Sequence, residues 1–213
     1  MFFLSLNRYG LCEKCAAIVV HDVEQRTHVI TESLWIVDRS TKLDTKLSRL
    51  GVVGEFLDVL HEYELMGIPT TEPAPSEVIN QVREKRTEVV REGAEEIVRV
   101  ALAKAGASVS QKTAITAAEQ ALTKLAEVSS RLTDPVDVRD LERRLLALIH
   151  DKRLEGHIAA AEKAEFKGQH KKALDAYREA LYLLRTDTTS DAQQAPLILK
   201  IEEALERLGE HRE

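Results

Sequence analysis

The sequence predicts an all-α fold of helical hairpins and a bundle, on three observations. Ala, Leu, Glu, Lys and Arg dominate the 213 residues, and these are the residues that lose least on entering a helix. Aromatic residues make up only 4%, with 9 Gly and 5 Pro, which is not the composition of a sandwich or barrel. Apolar residues recur at steps of three and four along most of the chain, the period of a helix with one buried face. At 44% hydrophobic the chain can bury a real core as one large or two small domains.

Four regions are expected: an N-terminal helical segment over 1–67, a Pro-rich linker over 68–75, a long antiparallel helical region over 76–151 and a three-helix unit over 152–213. In the first, "FFLSL" and "AAIVVHDV" fit a short strand as well as a buried helical turn, so residues 1–22 stay open. From about Glu24 to Val37, Ile30, Leu34 and Val37 fall at helical spacing. A second helix is expected from Asp44, a good N-cap type, with Leu50, Val53, Leu57 and Leu60 on one face, and Gly67 and Pro69 stop it.

In "IPTTEPAPS" three prolines hold the backbone extended, which marks a linker. Ser76 is a cap type for a long helix to about Ala105, "GASVS" turns the chain, and Ile115, Ala118, Leu122, Leu125 and Leu132 form the return face. The many intervening alanines let the two helices lie close, so an antiparallel hairpin is expected. "TDPVDV" reads as a helix start with Thr133 or Asp134 as cap and Pro135 at the first helical position. Val138, Leu141, Leu145 and Leu148 then mark a buried face. Only Gly156 weakens the path onward, at about 1 kcal/mol relative to Ala, so this helix is expected to run on into the C-terminal unit.

That unit is built around "AAAEKAEFKGQHKKALDAYREALYLL", residues 159–184. Gly168 permits a turn, Ala173 and Ala180 allow close approach, and Tyr177 fills the space between two helices. Ala, an aromatic four residues on and Ala three further resembles the second helix of a tetratricopeptide repeat. The first helix departs from that pattern, with His157, Ala160, Ala161 and Ala164 where the repeat has Trp, Leu, Gly and an aromatic, and no second copy lies at a 34-residue offset. A further helix carrying Leu197, Ile201, Ala204, Leu205 and Leu208 would cover the hairpin from the side. One hairpin plus a covering helix resembles the three-helix microtubule-interacting and trafficking domain. That resemblance implies a groove for an amphipathic helix or extended tail, with Gly168, Ala173, Tyr177, Ala180, Leu197, Ile201 and Leu205 as its binding or packing residues.

Charge and motifs narrow the function. A formal charge of −6, from 36 acidic and 30 basic residues, lacks the positive field that nucleic acid selects. The cluster Arg139, Arg143, Arg144, Lys152 and Arg153 is interleaved with Asp140, Glu142 and Asp151, the pattern of a solvated face. No apolar run reaches the length of a membrane span, and the opening lacks a basic segment and small-residue cleavage site, so a signal peptide is not expected. Two cysteines three positions apart cannot staple a fold, which points to the cytoplasm.

Cys12 and Cys15 form a CxxC, and His21 and His28 are the nearest candidates to complete a zinc site, with spacing unlike the usual finger. Zinc shared between paired CxxC units of two chains is a second arrangement. A thioredoxin-type redox motif would need a βαβ context, and two ordinary reduced thiols are favoured over both. No HExxH, GxSxG or Walker-type loop occurs, so no catalytic residue is assigned. The expected role is a non-catalytic interaction or assembly component binding another protein or a peptide helix through its C-terminal unit. Alternatives are a zinc-binding N-terminal module and a self-assembling helical protein, a homo-oligomer, in which the long hairpin makes the dimer.

Overall fold

The computed structural model describes residues 7–130, 138–186 and 191–210. Among them are seven helices and no strand: α1 (Glu13–Arg39), α2 (Leu43–Leu65), α3 (Pro75–Ala107), α4 (Gln111–Ser130), α5 (Arg139–Phe166), α6 (His170–Thr186) and α7 (Asp191–Glu210). The described residues form two compact units, 7–94 and 95–210, and the division falls inside α3. The Pro-rich stretch 68–75 lies within the first unit.

In the first unit, α1 and α2 pack as a hairpin. Val23, Ile30 and Val37 of α1 are buried with Leu50, Val53, Leu57 and Leu60 of α2, the two faces that the period of three and four places toward the core. The α1 start is about eleven residues earlier than the apolar spacing suggested. "AAIVVHDV" is helical, and Ile18 and Val20 face out at 60% and 58% exposure. A β-branched run with no polar alternation carries no period from which its state could be read.

Two helix starts also differ from expectation. The residue before α2 is Lys42, with no side-chain cap bond, and Asp44 lies in the first turn, where its charge still suits the positive helix end. Helix α3 opens on Pro75 rather than being capped by Ser76, as the fixed proline φ allows at a first helical position. Ser76 instead donates its N–H (3.0 Å) and Oγ–H (2.8 Å) to the Glu64 carboxylate, which His61 Nδ1 also approaches at 3.0 Å. These bonds tie the Pro-rich stretch to the end of α2 and hold the Glu64 pKa below the usual glutamate value, His61 contributing most and Ser76 next. A second tie joins α1 to α2, where Tyr63 Oη donates to Asp22 Oδ2 at 3.0 Å, an oxygen that Arg26 Nε also reaches at 2.7 Å.

Ser33 is the one buried polar residue among the described residues, at 1% exposure, and its hydroxyl has no hydrogen-bond partner. A buried donor left unmade costs about 1–3 kcal/mol, and alanine is also the better helix former. Ser33→Ala is therefore expected to raise stability by about 1 kcal/mol in urea unfolding followed by circular dichroism.

In the second unit α4 packs on α5, α5 on α6 and α6 on α7. Alanine is the contact residue along much of this path: Ala114, Ala118 and Ala121 on α4, Ala161 and Ala164 on α5, and Ala173 and Ala180 on α6 are all buried. Short side chains let helix axes approach toward the lower end of the usual 8–10 Å spacing. Helix α5 does run unbroken through Gly156. A Cβ there would come within 2.9 Å of Gln111 Oε1, so the glycine gives room to the Gln111 side chain at the start of α4. Thr133, Asp134 and Pro135, expected to start α5, lie outside the described residues, and the residue before its first turn is Val138.

The α5–α6 turn is closed by Gly168 N–H to Glu165 O and Gln169 N–H to Ala164 O, both 2.9 Å. This is the paired 5→2 and 6→1 bonding of a Schellman motif. Gly168 has φ +66°, which a residue with a Cβ adopts only at a cost.

Candidate functional site

The residues singled out in the C-terminal hairpin come together, and they do so inside the core. Ala173 and Ala180 are fully buried, Tyr177 is 6% exposed, and Ile201 seals them from α7 with Ala204 and Leu208. Leu197 and Leu205 are half-buried against the same cluster. Tyr177 Oη donates to Glu165 Oε2 at 3.1 Å, and Arg207 of α7 pairs with the other oxygen of that carboxylate. Burial, then the Glu165 carboxylate, pushes the Tyr177 pKa up to about 12.

The cleft between these three helices is small. It encloses about 100 Å³ among Ile158, Glu162, Leu197, Lys200, Ala204 and Arg207. Lys200 crosses its mouth to Glu162 at 3.6 Å, and Arg185 joins α6 to Glu202 of α7 at 2.6 Å.

At the other end of the chain, Cys12 is the N-cap of α1 and Cys15 lies in its first turn. Both are free thiols, Cys12 half-buried and Cys15 exposed. His21 and His28 lie on the same helix, about 9 Å and 20 Å beyond Cys15 at 1.5 Å per residue, so the four groups cannot meet at one ion with bonds of about 2 Å. Among the described residues no three His, Cys, Asp or Glu side chains converge.

The more open face belongs to α3 and α4. Ile97, Val100, Ala101, Ala117 and Ala121 form the floor of a groove of about 210 Å³, with Glu96, Lys104, Gln120 and Lys124 on its rim. Past Lys104 it continues as a shallower depression of about 620 Å³ toward Lys112, Thr113 and Thr116. From Lys112 to Lys124 the face runs about 18 Å along α4.

Lys104, Lys112 and Lys124 are exposed, while Glu96 is held by Arg99 in a two-bond pair, both bonds 2.6 Å. The neighbouring depression between α4 and α5 differs in charge. There Arg153 reaches Glu119 at 3.2 Å and Lys152 reaches Glu155 at 2.7 Å. Much of the basic cluster marked in the sequence is thus balanced locally, including Arg143 by Asp140 at 3.0 Å. Sequence spacing does not bring the three groove lysines together, because they stand 8 and 12 positions apart on two helices. Their only sequence signal is the run of alanines that makes the floor.

No helix among the described residues is long and apolar enough to cross a membrane. No protein-family model, curated protein or solved structure matches the chain.

Proposed function

We propose that this chain is a non-catalytic helical interaction protein of the cytoplasm, and that its second unit carries the partner. The observation that carries this reading is the α3–α4 groove, an apolar floor of Ile97, Val100 and alanines bordered by Lys104, Lys112 and Lys124. The occupant of matching chemistry is an amphipathic helix of about three turns with carboxylates flanking its apolar stripe. A second copy of the same face fits less well, because it would set three lysines and one glutamate against three lysines and one glutamate.

The sequence over 152–213 resembles repeat-like and trafficking-type helical units in the spacing of Ala173, Tyr177 and Ala180, and that resemblance supports an interaction role for the unit as a whole. Within it, Tyr177, Ala173 and Ala180 are buried, which supports the neighbouring α3–α4 groove rather than the hairpin cleft as the docking face.

Selection of amphipathic helices from a peptide-display library on the full chain tests this. Helices with acidic flanks are expected to be enriched. Lys104→Glu combined with Lys124→Glu should weaken the selected peptides at least tenfold, about 1.4 kcal/mol, and raised salt should weaken them on the native chain. Enrichment of basic flanks, or equal capture by the charge-reversed chain, would overturn the reading.

A further inference from the structure

The CxxC, which no cluster of metal-ligating side chains joins among the described residues, has the placement of a reactive dithiol. We propose that Cys12 and Cys15 form a dithiol–disulfide couple at the N-terminus of α1, oxidised by exchange with a small disulfide of the glutathione type.

Cys12 is the N-cap, with φ −72° and ψ 162°, and its carbonyl already accepts from Ala16 N–H at 2.9 Å. The first turn is therefore formed, and a 1.5 Å rise on a 2.3 Å radius puts Cα atoms three residues apart at about 5 Å. That lies inside the 4.4–6.8 Å range that a disulfide spans, so closing the bond asks for side-chain rotation rather than refolding. The exposure of Cys15 and partial exposure of Cys12 leave both sulfurs open to a small reagent.

The positive end of a helix favours a thiolate, and α1 offers it to Cys12 even though the described residues lack the βαβ context of the thioredoxin type. Lys14 lies between the two cysteines and Arg8 four residues before Cys12, with Glu13 as the nearest acid. The two thiols are not equivalent. Cys12 makes no formed cap hydrogen bond, yet the nearby amide of Cys15, then its thiol, hold the Cys12 pKa below the usual thiol value. The same pairing raises that of Cys15. Its place at the N-cap, against the amides of the first turn, makes Cys12 the attacking sulfur and Cys15, one turn into the helix, the resolving one.

The exchange balances in two steps. The Cys12 thiolate attacks one sulfur of the small disulfide, forming a mixed disulfide and releasing one small thiolate. Cys15 then gives up its proton and attacks Cys12 Sγ, expelling the second small thiolate. The protein loses two electrons and two protons, and the reagent becomes two thiols.

The full chain, first reduced and then held in oxidised glutathione, is assayed by alkylation and intact mass. The native chain is expected to lose both alkylatable thiols and two hydrogens of mass, with no glutathione retained. Cys15→Ser should stall as a glutathione adduct on Cys12 and form it faster than Cys12→Ser forms one on Cys15. Retention of both thiols, double glutathione addition, disulfide-linked dimers, or equal rates in the two variants would overturn the proposal. Both sites are on the surface, so these variants leave the helical core in place.

Discussion

Tyr177→Ala is expected to lower stability by about 3–5 kcal/mol and to release α6 and α7 from α5. The ring is buried among Ala161, Ala173, Ala180, Ile201 and Ala204. Its neighbours are too short to collapse into the space it would vacate, which is the condition under which a cavity is most costly. The hydroxyl adds a second, separable contribution. Tyr177→Phe keeps the ring and removes only the 3.1 Å bond to Glu165, for about 1 kcal/mol.

The same tyrosine sets an alkaline limit. Folding raises its pKa from 10.0 to about 12, so the fold favours the protonated form. That contribution is whole below pH 10 and is lost as pH rises from 10 toward 12. The gap corresponds to about 2–3 kcal/mol. Tyrosinate absorbance and circular dichroism should show α5–α7 loosening in this window, and Tyr177→Phe should remove that pH dependence. Hydrogen exchange over 139–186 and 191–210 would confine the effect to these helices. Unchanged exchange there in Tyr177→Ala would show that the ring does not hold the bundle.

Leu57→Ala should do comparable damage in the first unit, about 2–5 kcal/mol. Leu57 is 1% exposed and lies one turn from Val53 and Leu60, both wholly buried. Leu65, on the same helix but 75% exposed, gives the contrast, and Leu65→Ala should stay within about 0.5 kcal/mol of the native chain. Urea midpoints by circular dichroism, with exchange over 43–65, check both.

Helices were legible wherever one apolar stripe persisted. Leu50, Val53, Leu57 and Leu60 lie on the buried face that their spacing demanded, and Gly168 sits at the turn in the positive-φ conformation that glycine favours. Helix starts were less legible. Asp44 and Ser76 are good capping types, but Lys42 precedes one helix and Pro75 opens the other, because Ser76 had a stronger partner in Glu64, twelve residues back. "AAIVVHDV" showed no period, so the helix that makes Cys12 an N-cap was hidden and the chemistry of the CxxC with it. The lysine groove could not be read at all, since it arises only when α3 and α4 lie side by side.

In the second unit the closely packed helix pairs, α4 with α5, α5 with α6 and α6 with α7, are all neighbours along the chain. Each can form as soon as its own short connection closes, with little loop entropy to overcome. Such a topology has low contact order, which places folding in the microsecond-to-millisecond range typical of helical bundles. It also lets pairing proceed stepwise, so an emerging chain could complete each helix pair before the next helix is made.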